Sequence, residues 1–252
     1  MGFVDRGANS PSSLSVPLKD RARAARLLVF GLLALAPRPA SAFWLLNFGT
    51  AAPLPQGGVA FIGGTGGQLT EVGTPVQSSY TPFLAHAGIR VGLASFLDAG
   101  FRLCTVPLPF NVGGGPVLGG EIDLKLRLTP ARFKWQASVL AGVGYAYLLL
   151  QDQSKSAWSP GAEVTVSRDL SERVTLTLNV RYAYTGIPTG LGGMDSNLVH
   201  SFGGSVGLRI GLTQNIAILP EVGGFGFEGA ITGKSTNGWG LQYGVVLAAR
   251  VR

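Results

Sequence analysis

The sequence predicts an all-β protein, a transmembrane antiparallel up-and-down β-barrel of about ten strands. Apolar and polar residues alternate strictly in one segment after another, and long connections alternate with short ones. Charged residues make up only 13% of the 252 positions, whereas glycine fills 38 of them. An ordinary globular chain has about 25% charged residues and about 7% glycine. Because no run of about 18 apolar residues could form a membrane helix, the apolar character is spread over many short segments, as in a barrel wall.

The clearest predicted strand covers residues 174–185. One of its faces carries only apolar and aromatic side chains, namely Val174, Leu176, Leu178, Val180, Tyr182 and Tyr184. The positions between them are mostly polar and include Asn179 and Arg181. A side-chain period of two indicates a strand between an apolar and a polar environment. A tilted strand of about 11 residues is also long enough to cross a bilayer.

Similar segments divide the rest of the chain. They are predicted at 57–69, 82–93, 98–103, 120–129, 133–149, 157–167, 198–212, 216–227 and 239–251, with Pro220 indicating a bulge in the ninth strand. Long loops are predicted near 70–80, 105–117, 151–156, 186–197 and 229–238, and short turns near 94, 130, 170 and 214. Because the two kinds of connection alternate, the strand number is even and both ends of the barrel sequence lie on the short-turn side.

The N-terminal residues 1–42 are predicted to be a secretory signal peptide with an N-terminal extension. An apolar run of ten residues, 27–36, follows a basic stretch formed by Lys19, Arg21, Arg23 and Arg26. Ala40 and Ala42 then form an A-x-A cleavage site. This order of basic, apolar and small residues is typical of an export signal. The mature chain is expected to start at Phe43, with residues 43–56 as a periplasmic lead-in and 57–252 as the barrel.

The net charge of +7 belongs partly to this leader. Residues 1–42 hold six of the 20 basic residues and two of the 13 acidic ones, so the remainder carries only +3. This balance gives nucleic-acid binding little support. Cys104 is the only cysteine, which excludes an intramolecular disulfide. With one cysteine and two separated histidines, neither a metal site nor a cofactor is predicted.

Aromatic residues are predicted to gather at the two rims of the barrel. With the long loops placed outside, one group lies near the external rim, namely Tyr80, Phe83, Tyr145, Tyr147, Trp158, Tyr182, Tyr184 and Trp239. Trp135 and Phe133 lie at the opposite rim. Trp and Tyr favour the headgroup level on both sides of a bilayer. The strand between Trp135 and Tyr145 spans roughly 25 Å, the height of a lipid-facing apolar band.

The opposite faces of the strands are predicted to form a charged lumen. The charged residues with this phase are Arg90, Asp98, Arg102, Glu121, Asp123, Lys125, Arg127, Lys134, Glu163, Arg181, Arg209, Glu221 and Arg250. Charges in a narrow lumen must be paired or hydrated, because burying an unpaired charge is costly. An interior salt-bridge network is therefore expected. The alternative is a narrow pore in which the positive excess favours anions.

The chain resembles the small outer-membrane β-barrel proteins of Gram-negative bacteria. Their assembly signal has the form polar-x-Gly-x-x-apolar-x-apolar, and the closing segment from Gln242 to Ala249 fits it. The resemblance implies an outer-membrane location, contact with outer-membrane lipid and insertion by the barrel-assembly machinery. The chain departs from the pattern at its last residues, Arg250, Val251 and Arg252, where a terminal Phe is usual. This departure concerns the efficiency of assembly more than the fold.

The motifs of known barrel enzymes are absent from the sequence. Lipid-hydrolysing barrels carry His-x-Ser on one strand face, whereas His200 and Ser201 are adjacent and point to opposite faces. Glu121 and Asp123 resemble the acidic pair of barrel proteases, but no Asp-x-His accompanies them. The expected function is therefore non-enzymatic, with a structural, surface-interaction or narrow-pore role. The alternatives are a barrel enzyme that acts on outer-membrane lipid through an unrecognised site, and a soluble exported barrel that binds a lipophile.

Overall fold

Alternating apolar and polar positions make each predicted segment a strand with one face toward each environment. A computed structural model describes residues 46–73, 76–106, 117–150, 153–188, 196–231 and 234–251. Within these ranges the strands are β1 (Val59–Val72), β2 (Gln77–Ala94), β3 (Leu97–Val106), β4 (Val117–Arg127), β5 (Trp135–Leu150), β6 (Gln153–Asp169), β7 (Val174–Pro188), β8 (Ser196–Gly211), β9 (Ile216–Ile231) and β10 (Lys234–Arg250).

Each strand pairs antiparallel with its neighbours in sequence, and β1 pairs with β10 to close the barrel. The closing register places Gly66 opposite Gly244 and Gln68 opposite Gln242. Closure satisfies the backbone hydrogen bonds of every strand without leaving an edge. The predicted fold class, a ten-stranded antiparallel up-and-down barrel, is confirmed.

Several strands extend beyond their predicted ends. β6 begins at Gln153 and β10 at Lys234, inside the stretches 151–156 and 229–238 that were predicted as loops. Polar residues beyond the apolar band still pair their backbone groups, so the ladder continues where the alternation stops. Two of the predicted long loops are therefore corrected, because β5–β6 and β9–β10 are separated by only two residues each. The β3–β4 and β7–β8 connections are longer, with ten and seven residues between the strands. Among the residues that the structure describes, no helix is long and apolar enough to cross a membrane.

The bulge predicted at Pro220 is wrong. β9 keeps one register with β8 on both sides of this residue. Proline removes a hydrogen-bond donor from the ladder, and the register tolerates that loss. Register shifts occur instead between Gly66 and Gln68 in β1, and between Gly92 and Ala94 in β2.

The outer face of the barrel carries the large apolar side chains. The exposed members of the predicted aromatic belt are Tyr80, Phe83, Trp135, Tyr145, Trp158, Tyr182 and Trp239. Tyr184 is half-buried and packs against His200, with ring centroids 4.8 Å apart. The side chain of Tyr147 lies outside the described part of the chain. The outward direction of these rings agrees with a lipid-facing wall, and their place at the headgroup level stays a prediction.

A charge placed on the outer face of β7 tests where the bilayer lies. We expect Val180→Arg to lower the free energy of unfolding by about 2–4 kcal/mol, because Val180 is exposed near the middle of the strand. Val174→Arg, at the short-turn end of the same face, should cost only about 0–1 kcal/mol. Urea titration of the folded protein in phospholipid vesicles measures both values. Equal costs at the two positions would contradict a bilayer centred on β7.

Candidate functional site in the barrel lumen

Most of the predicted lumen charges lie on the inner face of the barrel. Those with the inner phase of their strands are Arg90, Asp98, Arg102, Glu121, Asp123, Lys125, Arg127, Glu163, Arg181, Arg209, Glu221 and Arg250. The prediction is corrected for Lys134, which lies in the exposed turn before β5. The ladder of β5 begins one residue later, at Trp135, so Lys134 has no inner face to occupy.

One ion-pair cluster joins β2, β3 and β4. The Arg90 guanidinium on β2 contacts both Asp98 on β3 and Asp123 on β4. It reaches β4 by crossing Gly100, where a Cβ atom would lie 2.8 Å from Oδ2 of Asp123. Nζ of Lys125 lies 3.4 Å from Oδ2 of Asp98 and adds a second cation. Two nearly inaccessible carboxylates are thus balanced by two cations from neighbouring strands.

A second cluster joins strands that are not neighbours in the sheet. Glu121 on β4 accepts hydrogen bonds from Nη2 of Arg102 at 2.6 Å and from Nη2 of Arg181 at 2.5 Å. Arg102 lies on the adjacent strand β3, whereas Arg181 lies on β7, three strands away. Nη1 of Arg181 is also 3.8 Å from Oε2 of Glu163 on β6. These ion pairs therefore link β3 and β4 with β6 and β7.

The lumen also contains a segment of the chain that precedes the barrel. We call residues 46–55 the N-terminal segment. Its side chains Leu46, Phe48 and Ala51 are among the most buried in the protein, with 1%, 4% and 0% exposure. These residues were predicted to be part of a periplasmic lead-in, and the structure instead places them inside the barrel. Their apolar side chains lose water there, while their backbone polar groups need partners on the charged wall.

Glu221 on β9 supplies two of those partners. Its carboxylate accepts hydrogen bonds from the backbone N–H groups of Asn47 at 3.1 Å and Phe48 at 2.6 Å. The side chains of Asn179 and Ser205 donate to the same carboxylate at 3.0 and 2.5 Å. Four donors therefore converge on one buried acid. Hydrogen bonds to a charged acceptor are stronger than neutral ones, so Glu221 is a main anchor of the segment.

Strand β6 holds the N-terminal segment from another side of the lumen. The Asn47 side chain donates to the Glu163 carboxylate and, at 3.0 Å, to the hydroxyl of Thr165. Farther along the segment, the backbone N–H of Ala51 donates to the Ser167 hydroxyl at 3.1 Å. The three β6 residues are successive inner positions of one strand. The segment therefore runs along β6 toward the short-turn side.

Strands β3 and β4 complete the set of anchors. The Arg102 side chain donates a hydrogen bond to the backbone carbonyl of Leu46, and the Lys125 side chain donates one to the carbonyl of Thr50, both at 3.0 Å. The Asp98 carboxylate accepts a hydrogen bond from the backbone N–H of Leu54 at 3.1 Å. Arg102, Lys125 and Asp98 also belong to the ion-pair clusters. The charged network thus both braces the wall and binds the segment.

Phe48 is held in an unusual conformation. Its φ of 50° lies in the left-handed region, which costs a residue other than glycine about 1–3 kcal/mol. Its ring packs edge-on against His86, with centroids 4.8 Å apart and planes at 89°. On its other side, a Cβ atom at Gly244 of β10 would lie 2.7 Å from Cζ of Phe48. A side chain at position 244 would therefore displace the ring, so the absence of one makes room for the segment.

The outer half of the lumen has aromatic side chains that follow the wall. Phe225 and Phe227 are buried inner residues of β9. A Cβ atom at Gly240 of β10 would lie 2.5 Å from Cζ of Phe225, and one at Gly238 would touch the ring of Phe227 in the same way. Both rings therefore lie over the neighbouring strand β10. Among the described residues, the N-terminal segment is the part of the lumen filling that does not belong to a barrel strand.

Three of the four residues considered for catalysis have other partners, namely His200, Glu121 and Asp123. His200 is exposed on the outer face, where its Nδ1 lies 2.7 Å from the Tyr182 hydroxyl, and Ser201 faces the interior. Glu121 and Asp123 are engaged in the ion pairs described above. Within the described ranges, no group of three or more His, Cys, Asp or Glu residues could hold a metal ion.

The barrel is similar to two solved outer-membrane proteins. The outer-membrane protease OmpT from Escherichia coli matches with a TM-score of 0.51 and 10% identity, over 81% of this chain and 100% of OmpT. An outer-membrane channel from Pseudomonas putida F1 matches with a TM-score of 0.53 and 11% identity, over 82% of this chain and 100% of the channel. No protein-family model and no curated protein matches the sequence. The chain therefore has the fold of the outer-membrane β-barrel class, and the likeness extends to the fold alone.

Proposed function

We propose that the chain is a non-enzymatic integral outer-membrane protein whose lumen is a narrow path closed by its own N-terminal segment. The observation that carries the proposal is the insertion of residues 46–55 among the charged inner residues. Export by a signal peptide ending at Ala42 is part of the proposal, and it would leave three residues ahead of Leu46. Outer-membrane lipid and the barrel-assembly machinery are the proposed partners.

The outer surface supports a membrane location. Phe83, Phe202 and Trp158 expose 78%, 63% and 52% of their area. Such residues recur around the wall, while Arg90 and Arg209 of the same strands point inward. A contiguous apolar surface of this kind is stable against lipid and is a liability in water. This observation favours an integral barrel over a soluble barrel that binds a lipophile.

The way in which the segment is attached supports its displacement. The ion pairs of Arg90 with Asp98 and of Glu121 with Arg181 join wall residues to each other, so they do not need the segment. The segment itself is held by hydrogen bonds and apolar contacts, and it joins β1 through Gly57, whose φ of 75° gives a sharp turn. Withdrawal of the segment would therefore break only the contacts of the segment, and the strand pairing that closes the barrel would remain.

The solved neighbours favour neither an enzymatic role nor a channel role. One neighbour is named a protease and the other a channel, and both share this fold with the present chain at 10–11% identity. The assignment therefore depends on the residues of this chain. Its inner acids Asp98, Glu121 and Asp123 are paired with arginines, and His200 and Ser201 lie on opposite faces. These arrangements support a path through the barrel more than a catalytic centre.

Single-channel recording of residues 43–252 in a planar bilayer tests the proposal. The unaltered chain should be closed with rare openings. Glu221→Gln should increase the open time about tenfold to hundredfold, because weakening charge-assisted bonds to two backbone amides costs about 1.5–3 kcal/mol. Glu228→Gln is the matched control, since Glu228 lies exposed on the same strand. Equal open times for the two variants would contradict closure by the segment.

A further inference from the structure

A cavity lies between the N-terminal segment and the barrel wall at the short-turn end. Its volume is about 360 Å³. Residues 48–50 and 52–55 of the segment line one side of it, and Asn215 of the β8–β9 turn lies at its mouth. Pockets for small molecules have volumes of about 300–1,000 Å³. The cavity is therefore large enough for a small organic solute, and it takes this shape only with the segment inserted.

The polar side of the cavity is basic. The charged residues that line it are Arg90, Arg102, Lys125, Arg209, Arg250 and Asp169. Asp169 is the one acidic residue among these described lining residues, and its carboxylate accepts a hydrogen bond from the Thr175 hydroxyl at 2.6 Å. The carboxylates that balance the arginines, such as Asp98 and Asp123, are almost completely buried behind them. A solute in the cavity would therefore meet cations first.

Arg209 is the cation best placed to bind an anion. It lies opposite Thr175 in the ladder between β7 and β8, and its side chain is half-buried at the mouth of the cavity. No carboxylate of the described residues lies within 4.0 Å of its guanidinium, in contrast to Arg90 and Arg102. Guanidinium groups bind carboxylates through two parallel hydrogen bonds. Arg209 thus offers such a fork without breaking a wall ion pair.

The part of the cavity wall beside β8 is largely apolar. Its lining there comes from β1, β9 and β10, through Ala60, Ile62, Ala217, Leu219 and Ala248. These side chains offer no hydrogen bonds and would accept only an apolar part of a ligand. A cavity with a basic mouth and an apolar wall matches a molecule that has an anionic head and a short hydrocarbon body.

We propose that this cavity is a binding site for a small amphipathic carboxylate, with the carboxylate on Arg209 and the hydrocarbon body against β1, β9 and β10. Because the segment forms part of the site, a bound carboxylate would stabilise the inserted segment by mass action. The inference goes beyond the proposed function. It needs only the inserted segment, and it holds whether or not the lumen ever conducts.

Calorimetric titration of residues 43–252 in lipid nanodiscs tests the site, with hexanoate as the probe and empty nanodiscs as the blank. Saturable binding of hexanoate is expected, and hexanol should not bind saturably. Arg209→Gln should weaken hexanoate binding about tenfold or more, because it removes a charge-assisted pair. Arg173→Gln is the control, since Arg173 lies exposed in the β6–β7 turn on the same side of the barrel.

Arg209→Lys tests whether the loss of hexanoate binding in Arg209→Gln comes from misfolding of the barrel. It retains the charge without the planar fork, and its affinity should lie between those of the unaltered chain and Arg209→Gln. The site is overturned by absence of saturable hexanoate binding to the unaltered chain, by equal affinities of the unaltered chain and Arg209→Gln, or by equal binding of hexanol. Hexanoate binding together with a silent Glu221→Gln variant would reject the proposed path and retain this site.

Discussion

A chain that begins at residue 56 is expected to conduct steadily where residues 43–252 are closed. The deletion removes the whole N-terminal segment and leaves every described strand intact, because β1 begins at Val59. It takes Leu46, Phe48 and Ala51 out of the lumen together with the backbone groups that bind Glu221. In the outer half of the lumen, the rings of Phe225 and Phe227 lie against β10. The expected change is from rare openings to discrete, long-lived steps in a planar bilayer.

A peptide with the sequence of residues 43–56 provides the complementary measurement. Added on the short-turn side of the shortened barrel, it should restore closure in a concentration-dependent way. A scrambled peptide of the same composition is the control, since it keeps the apolar content and loses the order of contacts with Glu221 and β6. If the shortened barrel folds but stays silent, the wall side chains alone close the lumen, and the segment is a structural support.

The architecture was predictable because its signal is local. Each strand places one face against an apolar environment and one against a polar environment. Apolar and polar residues therefore alternate with a period of two in segments such as 174–185. The strand ends were harder to predict. Gln153 and Lys234 belong to strands although they lie beyond the apolar band, where backbone pairing continues without any pattern in the side chains. The bulge at Pro220 was predicted wrongly for another reason, because the ladder tolerates one missing hydrogen-bond donor without a change of register.

The inner charges were predictable as a set, but their partners were not. Inward direction follows from strand phase, whereas pairing depends on register, strand tilt and the space left by small residues. Arg90 reaches Asp123 because Gly100 lies between them on β3, and Arg181 on β7 reaches Glu121 on β4, three strands away. These relations arise only after closure. Lys134 shows the limit of phase alone, because it precedes the first residue of the ladder.

The position of the N-terminal segment was missed for a different reason. Residues 46–55 have no periodic pattern, and most of their anchors are backbone groups, which every sequence possesses. One signal does lie in the sequence of β10, where Gly238, Gly240 and Gly244 share the inner phase. Glycines at these positions leave space inside the barrel that the side chains of β10 do not fill. The rings of Phe227, Phe225 and Phe48 occupy that space in the structure.

Removal of the Glu121 carboxylate is expected to destabilise the barrel more than any other single truncation of the charged network. Glu121→Ala leaves Arg102 and Arg181 without their short ion pairs, and both arginines are at least 94% buried. The remaining contacts, to Asp123 at 4.0 Å and to Glu163 at 3.8 Å, are too long to replace them. Loss of one partner from a buried ion pair costs about 3–5 kcal/mol. Urea titration in phospholipid vesicles should show this loss, with Glu172→Ala in the exposed β6–β7 turn as the control.

A triple variant separates the free-energy cost of leaving buried arginines unpaired from the net contribution of the ion pairs to stability. Glu121→Leu combined with Arg102→Met and Arg181→Met removes all three charges and retains side-chain volume. Because replacing a buried ionic cluster by apolar groups is often neutral or stabilising, the triple variant should recover most of the stability that Glu121→Ala loses. It should also weaken the seating of the segment, since Arg102 donates to the Leu46 carbonyl. If Glu121→Ala costs no more than Glu172→Ala, water hydrates the two arginines and the lumen is wetter than its burial implies. If instead the triple variant folds stably but opens more often, the charges serve closure of the lumen more than stability of the barrel.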